Sequence, residues 1–316
     1  MIEFVESLVR GTGLGAMYSL IAVGFVIIFR ATGVMNFAQP VFMILGTFIS
    51  YTLAGAAGLP FAVAALGAVV SVAAIAAATE RIAMRPMVGR PPFSATLVTV
   101  GLFAAGLVVA NKLFGPDVIT SGDPWGLGSF CLGGTRAETG TVAGLAAPCV
   151  GGVTVGYVDI FKVVAAVVIV GALLLWLDRS RYGLAMRATA ADQETAMAQG
   201  ISAGTIFSLS WALAGALAAC GGILLGTAPG GVAAAAALVA LKALPATIIG
   251  GLDSVKGAVV GGLIVGWAEA LTKTYQPDLA PWLGANFDVV MPYVLMFAVL
   301  LVSPHGLYGT KEVQRV

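Results

Sequence analysis

The residues of this chain that could do chemistry are few and widely spaced. Its one histidine, His305, stands in a Pro-His-Gly turn, so the sequence offers neither a metal cluster nor a Ser/His/Asp nucleophilic site, and His305 reads as a surface or capping residue. No Gly-x-x-x-x-Gly-Lys-Ser/Thr run is present to cradle nucleotide phosphates, so energy for any driven process must come from elsewhere. Lys242, Asp253 and Glu269 fall within or beside long apolar stretches. A charge at the centre of a bilayer costs about 2.5–3.5 kcal/mol or more. Such residues serve a coupling ion, a place at the membrane interface, or a contact with a second subunit. Cys131 and Cys149 share one Gly- and Pro-bearing stretch with Trp125; they can form a disulfide in an oxidising compartment or remain two thiols. Cys220 sits in an apolar block and reads as packing.

The elements that position these residues are membrane spans. Residues 31–79 and 195–241 contain no Asp, Glu, Lys or Arg, and the whole chain is 59% hydrophobic against 10% charged. A bilayer core of about 30 Å takes about 20 apolar residues per helix, which makes the chain one all-α, polytopic transmembrane domain over residues 1–316. Lys and Arg (16) balance Asp and Glu (15), which excludes a basic nucleic-acid face. Membrane lipid is the first partner. Glu3 and Glu6 against Arg10 are the wrong polarity for a cleaved leader, so the first apolar stretch is expected to stay as a span. The 42 glycines fit helices that associate through small residues, with Gly11/Gly15, Gly222/Gly226 and Gly257/Gly261 at the spacing that brings helices together.

Apolar blocks fall at about 12–29, 40–57, 60–79, 93–111, 160–177, 203–228, 232–250, 257–272 and 289–303, which predicts eight or nine transmembrane helices. Pro40 threatens the start of one block. Pro229-Gly230-Gly231 and Gly250-Gly251 mark places where a re-entrant half-helix could replace a full span and aim backbone dipoles at a passing zwitterion. Arg81, Arg85 and Arg90, then Arg179, Arg181 and Arg187, then Lys311 and Arg315 concentrate positive charge in segments expected to be cytoplasmic. Nine crossings then place the N-terminus outside and the C-terminus inside, with a long external loop over about 112–159.

The most informative polar stretch runs over about 179–202. Thr189 followed by Asp192 resembles a capping box, with Asp192 and Glu194 in a helix's first turn, and Gly200 fits a left-handed stop. The expectation is a short extramembrane helix presenting Ala188, Asp192, Ala196 and Gly200 as a small-residue face. Such a helix either connects two spans passively or docks a partner and passes its movement on.

These features together resemble the permease subunits of branched-chain amino acid ABC importers. The resemblance is carried by Asn36-Phe37-Ala38-Gln39 and by Arg85-Pro86 with Pro91-Pro92. It continues in Gly183, Arg187-Ala188, Asp192, Ala196 and Gly200-Ile201, in Leu241-Lys242-Ala243, Gly250-Gly251, Ser254, Gly257-Ala258 and Gly261-Gly262, and in Pro304, Gly306-Leu307 and Gly309. Pro40, Asp253, Ser303 and His305 depart from the family's usual residues, and these departures bear on the substrate more than on the family.

The resemblance implies a permease in the plasma membrane of a bacterium or archaeon, paired with a second homologous permease. It further implies two cytoplasmic ATPase subunits that hold ATP and Mg, and an external solute-binding protein. No cofactor belongs to this chain. Gly183, Arg187, Ala188, Asp192, Ala196, Gly200 and Ile201 would couple it to the ATPases; Asn36, Phe37, Gln39, Gly250, Gly251, Asp253 and Ser254 are the candidates for the solute pathway. Leucine, isoleucine or valine is the implied solute, with urea, short amides and other small carboxylates as alternatives. An ATPase-independent secondary transporter and a membrane scaffold without a pathway are the rival classes.

Overall fold

A computed structural model describes residues 2–115, 117–122, 128–136, 149–227, 230–233 and 236–310; Trp125, Pro229, Lys311 and Arg315 lie outside them. In chain order it comprises α1 (Ile2–Thr32), α2 (Gln39–Gly55), α3 (Phe61–Thr79), a π turn (Glu80–Met84), a 3-10 turn (Arg85–Met87) and α4 (Pro92–Phe114). Four short strands follow, β1 (Ser129–Leu132), β2 (Thr135–Arg136), β3 (Cys149–Val150) and β4 (Val153–Gly156). Then come α5 (Tyr157–Arg179), α6 (Arg181–Ala191), α7 (Gln193–Ala198), α8 (Ala203–Gly226), α9 (Ala237–Leu241), α10 (Ala243–Gly250), α11 (Val255–Leu279) and α12 (Met291–Val302).

The membrane body is all-helical, as composition requires. Six helices are long and apolar enough to cross a bilayer, and Gln39–Gly55, Ala237–Gly250 and Met291–Val302 are shorter apolar helices. Together they fall on the nine apolar blocks of the sequence. Pro40 lies in the first turn of α2, where its missing N–H leaves no intrahelical bond unmade, so it starts the helix and does not break it. Between α4 and α5, β1 pairs antiparallel with β4, and β2 with β3. Strands this short carry too little alternation to be legible as strands. Cys131 in β1 and Cys149 in β3 are joined as a disulfide, with Cα atoms 5.6 Å apart.

At 1.5 Å per residue, Ala237–Gly250 spans only about 21 Å, and residues 230–233 lie ahead of it in the chain. There Val232 exchanges backbone bonds with Ile119 (2.8 and 3.0 Å), and Ser121 donates to the Gly226 carbonyl at 2.8 Å. Segment 117–122 thus satisfies the last carbonyl of α8 and both backbone groups of Val232, as irregular backbone buried against a protein requires. This short apolar helix stands at the glycine-rich stretch where the sequence left a half-helix open as the alternative to a full span.

α1 and α8 form the centre, and their surfaces are mostly buried, whereas α3, α4 and α5 present exposed apolar faces through Leu66, Val70, Val108 and Val167. Glycines set the close approaches. A Cβ on Gly15 would stand 2.8 Å from Leu263 Cα of α11, one on Gly46 2.5 Å from Ala219 Cα of α8, and one on Gly222 would run into the Met43 carbonyl of α2. Gly11 likewise meets the backbone of Gly266, Gly226 the side chain of Thr47, and Gly257 and Gly261 the backbone of α10, so all three small-x-x-x-small pairs pack helices. The bundle has a basic end, with Arg30, Arg85, Arg90 and Arg187, and an opposite end that carries the disulfide.

Candidate functional site

At the basic end, the chain between α5 and α8 is built from local rules. Ser180 is extended, and its Oγ accepts from the Gly183 N–H at 3.0 Å, capping α6. Gly183 is buried where a Cβ would collide with the Leu177 carbonyl, so α6 can turn this tightly beneath α5 only with glycine there. Arg187 Nη1 donates to the same carbonyl at 3.0 Å and stands 3.8 Å from Asp178 Oδ1, which ties α6 back to α5. Both side chains are well exposed, so the ion pair is worth little and the carbonyl bond positions the guanidinium.

The structure corrects the expectation of one helix capped by Thr189. Thr189 lies inside α6, with its hydroxyl donating to the Ala185 carbonyl at 2.9 Å, which leaves it no part in a cap. Asp192 is extended (φ −158°, ψ 109°) and starts a second helix, α7. Its Oδ1 accepts the Thr195 N–H at 3.1 Å and its Oδ2 accepts the Thr195 hydroxyl at 2.6 Å. These bonds, the hydroxyl first, hold the Asp192 carboxyl below the usual carboxylate range. Gly200 ends the segment at φ +86°, with Ile201 N–H donating to the Ala196 carbonyl at 3.1 Å.

Breaking the helix at Asp192 also breaks the expected small-residue face. Ala188 is half-buried, Asp192 and Gly200 are exposed, and Ala196 is turned inward against the protein itself at 5% exposure. The outward side of α7 instead shows Met197, 47% exposed, and Glu194, while α6 shows Leu184 at 63%. A period-four reading missed these residues because it carried one helical phase through the break.

The other candidate residues divide into two places. Asn36, Phe37 and Gln39 form the α1–α2 junction: Asn36 Oδ1 accepts from Ala38 N–H at 3.0 Å, Phe37 N–H donates to Thr99 Oγ1 at 3.0 Å, and Gln39 Nε2 donates to the Ala214 carbonyl at 2.9 Å. Asn36 and Gln39 are essentially fully buried. Gly250, Gly251, Asp253 and Ser254 form the turn from α10 to α11 at the basic end. Gly251 takes φ +108°, Ser254 Oγ caps α11 through Gly257 N–H at 3.0 Å, and Asp253 accepts the Thr310 N–H at 3.1 Å and the Thr310 hydroxyl. Leu307 and Tyr308 donate backbone bonds to Ile249 and Gly250, so the chain after α12 is stitched onto this turn. His305 is exposed beside it.

Tertiary structure brings part of the segment between α5 and α8 to the α10–α11 turn and leaves Asn36, Phe37 and Gln39 apart from both. Gly183 and Arg187 share a cavity of about 340 Å³ with Asp253 and Ser254, to which Arg30, Asp178 and Lys256 add charge of both signs. Arg30 and Lys256 carried no signal in the sequence beyond their charge.

Deeper in the bundle, Lys242 Nζ donates to Glu269 Oε1 at 2.7 Å, and the Tyr18 hydroxyl donates to Glu269 Oε2 at 2.7 Å. α11 runs on to Leu279, beyond the apolar block at about 257–272, which places Glu269 about 21 Å along the helix and well short of its end. Tyr18 is midway along α1, and Lys242 stands at the break between α9 and α10. The two charges therefore satisfy each other within the chain and need neither the membrane interface nor a second subunit. Among the described residues no group of three His, Cys, Asp or Glu side chains is placed to hold a metal.

Comparison with known proteins follows the same chain almost end to end. A family model described as the branched-chain amino acid transport system permease component matches residues 7–301. The permease protein BraD of the high-affinity branched-chain amino acid transport system of Pseudomonas aeruginosa is 29% identical, over 99% of this chain and 98% of its own. LivH of Escherichia coli, a permease protein of the same kind of system, is 28% identical over 100% and 98%. A probable LivH of the archaeon Methanocaldococcus jannaschii is 29% identical over 94% and 90%.

Proposed function

The chain belongs to this branched-chain amino acid transport permease family, and on that premise we propose that it is the membrane subunit of an ATP-driven importer of leucine, isoleucine or valine. Likeness over essentially the whole length to permeases of that transport class carries the reading. The chain has no nucleotide-binding run of its own, so two cytoplasmic ATPases would hold ATP and Mg, with a second permease beside this one and a binding protein outside. The basic end faces the cytoplasm, by the bias of Lys and Arg toward that side, and the disulfide end faces out.

In this reading α7 is the docking element, touched by the ATPase at Met197 and Glu194, with Leu184 of α6 alongside. Its start is held by Asp192 and its end by Gly200, so a push on it moves a preformed unit. Arg187 passes the displacement to α5, and the short run 199–202 passes it to α8. The mixed-charge cavity under α6 serves as the inner mouth of the pathway, where the charge of both signs suits a zwitterion.

The test is purification of the tagged chain from its native membrane in mild detergent, followed by reconstitution in vesicles. Recovery of two ATPases and a second permease, with ATP-dependent leucine uptake when binding protein is added, is the expected outcome. Recovery of the chain alone with ion-driven flux would overturn it, and ATP-dependent uptake of urea or amides but not leucine would overturn the solute. Met197→Glu should lower ATPase recovery while the permease still folds; full recovery would remove α7 as the docking element.

A further inference from the structure

The start of α8 is held in an unusual way. Ser202 gives it no side-chain cap, yet this is the first turn to receive any displacement of α7. What holds it comes from α3. In the π turn that follows α3, a bulge of a kind often found at functional sites, Glu80 is 1% exposed and its Oε2 accepts the Ser208 hydroxyl. Arg85 Nη2 donates to the Gly204 carbonyl at 2.9 Å and to Ser208 Oγ at 3.3 Å. Gly204 and Ser208 are one turn apart on one face of α8, so the carboxylate and the guanidinium grip its first two turns together.

Two further observations single out this grip. A Cβ on Gly204 would stand 3.0 Å from Arg85 Nη2 and 3.2 Å from Cζ, so the guanidinium lies on bare backbone and a side chain there would push it off its place. Glu80 Oε1 and Arg85 Nε face each other at 3.7 Å, both buried, with no hydrogen bond to either among the described residues. With the Arg85 side chain 39% exposed, an ion pair at this distance is a poor source of net stability, and burying unbonded polar atoms adds a cost. Higher up, Gly215 of α8 packs on Ala76 and Val72 of α3, so the two helices already share a seam that the clamp extends to the membrane surface.

We propose that Glu80 and Arg85 are positioning residues that lock α8 to α3, so that movement of α7 is delivered to both helices together. The proposal rests on the ATP-driven reading above and deepens it. Without the clamp, the uncapped first turn of α8 would yield under load, and ATP hydrolysis would continue without moving the bundle.

The experiment uses the complete importer in vesicles, with uptake and ATP hydrolysis measured on the same sample. Glu80→Gln and Gly204→Ala should each lower solute moved per ATP by about tenfold, the scale of a typical coupling between sites. ATP hydrolysis and recovery of the ATPases should stay near wild type, and Ser208→Ala should show the same change to a smaller degree. A purely structural role would lower uptake and hydrolysis together through loss of assembled complex. That result, or an unchanged ratio in all three variants, overturns the clamp. If Glu80→Gln does not assemble, Gly204→Ala and Ser208→Ala decide, since the first disturbs only the Arg85 contact and the second removes one hydroxyl while leaving Glu80 and Arg85 in place. Uptake by the wild-type complex that persists with inactive ATPases would instead overturn the ATP-driven reading itself.

Discussion

Lys242 and Glu269 meet at 2.7 Å inside the helical body, each no more than a tenth exposed at its side chain, with the Tyr18 hydroxyl on the second carboxylate oxygen. The pair joins the break between α9 and α10 to α11, and Tyr18 extends it to α1. Each charge alone would be expensive at this depth, and together they make a neutral, hydrogen-bonded unit.

Removing one partner strands the other, at a cost of about 3–5 kcal/mol. Lys242→Met and Glu269→Gln are each expected to lower the thermal stability of the detergent-purified permease strongly, and the double variant to recover most of the loss. A double-mutant cycle gives the coupling directly. Independent, additive losses would show that the pair is not a unit.

The seam between α1 and α11 leaves no room for a side chain at Gly266, where a Cβ would meet the Gly15 N–H and the Gly11 carbonyl. Gly266→Ala should cost about 1–3 kcal/mol by overpacking, because backbone on the facing helix cannot rotate away as a side chain can. Gly171 of α5 has open space around it, and Gly171→Ala is the control expected to leave the melting temperature unchanged or slightly raised.

The cap on α7 makes its order pH-dependent. The Asp192 carboxyl is held below its usual range by the Thr195 hydroxyl and N–H, so the folded segment favours the ionised form. That stabilisation is complete above the carboxyl's unfolded value and is lost as pH falls through its lower folded value. Amide exchange over residues 195–198 should therefore quicken on acidification relative to Asp192→Asn measured at the same pH. Parallel behaviour of the two proteins would remove Asp192 as the switchable cap.

The disulfide gives a test of sidedness. A thiol label that cannot cross membranes, added to intact cells, is expected to reach Cys131 and Cys149 only after reduction. Labelling without reductant would argue against the bond, and labelling only in inverted vesicles would reverse the proposed orientation.

Much of this molecule was legible in its residues because the bilayer imposes a simple rule. Long stretches without charge had to become buried or lipid-facing helices, and nine apolar blocks did so. Gly200 announced its left-handed stop because few other residues adopt that conformation, and the paired glycines announced close helix seams. Which side chains meet across those seams was not legible. Lys242 and Glu269 are 27 residues apart, Glu80 and Ser208 are 128 apart, and each partner alone reads only as a charge or a hydroxyl in a hydrophobic chain. The phase of α7 was equally hidden, because one extended residue at Asp192 turns Ala196 inward and Met197 outward. Periodicity and hydropathy are local properties and determine where helices form; pairing and facing depend on how helices pack and on where one residue breaks their phase, and only the tertiary structure decides these.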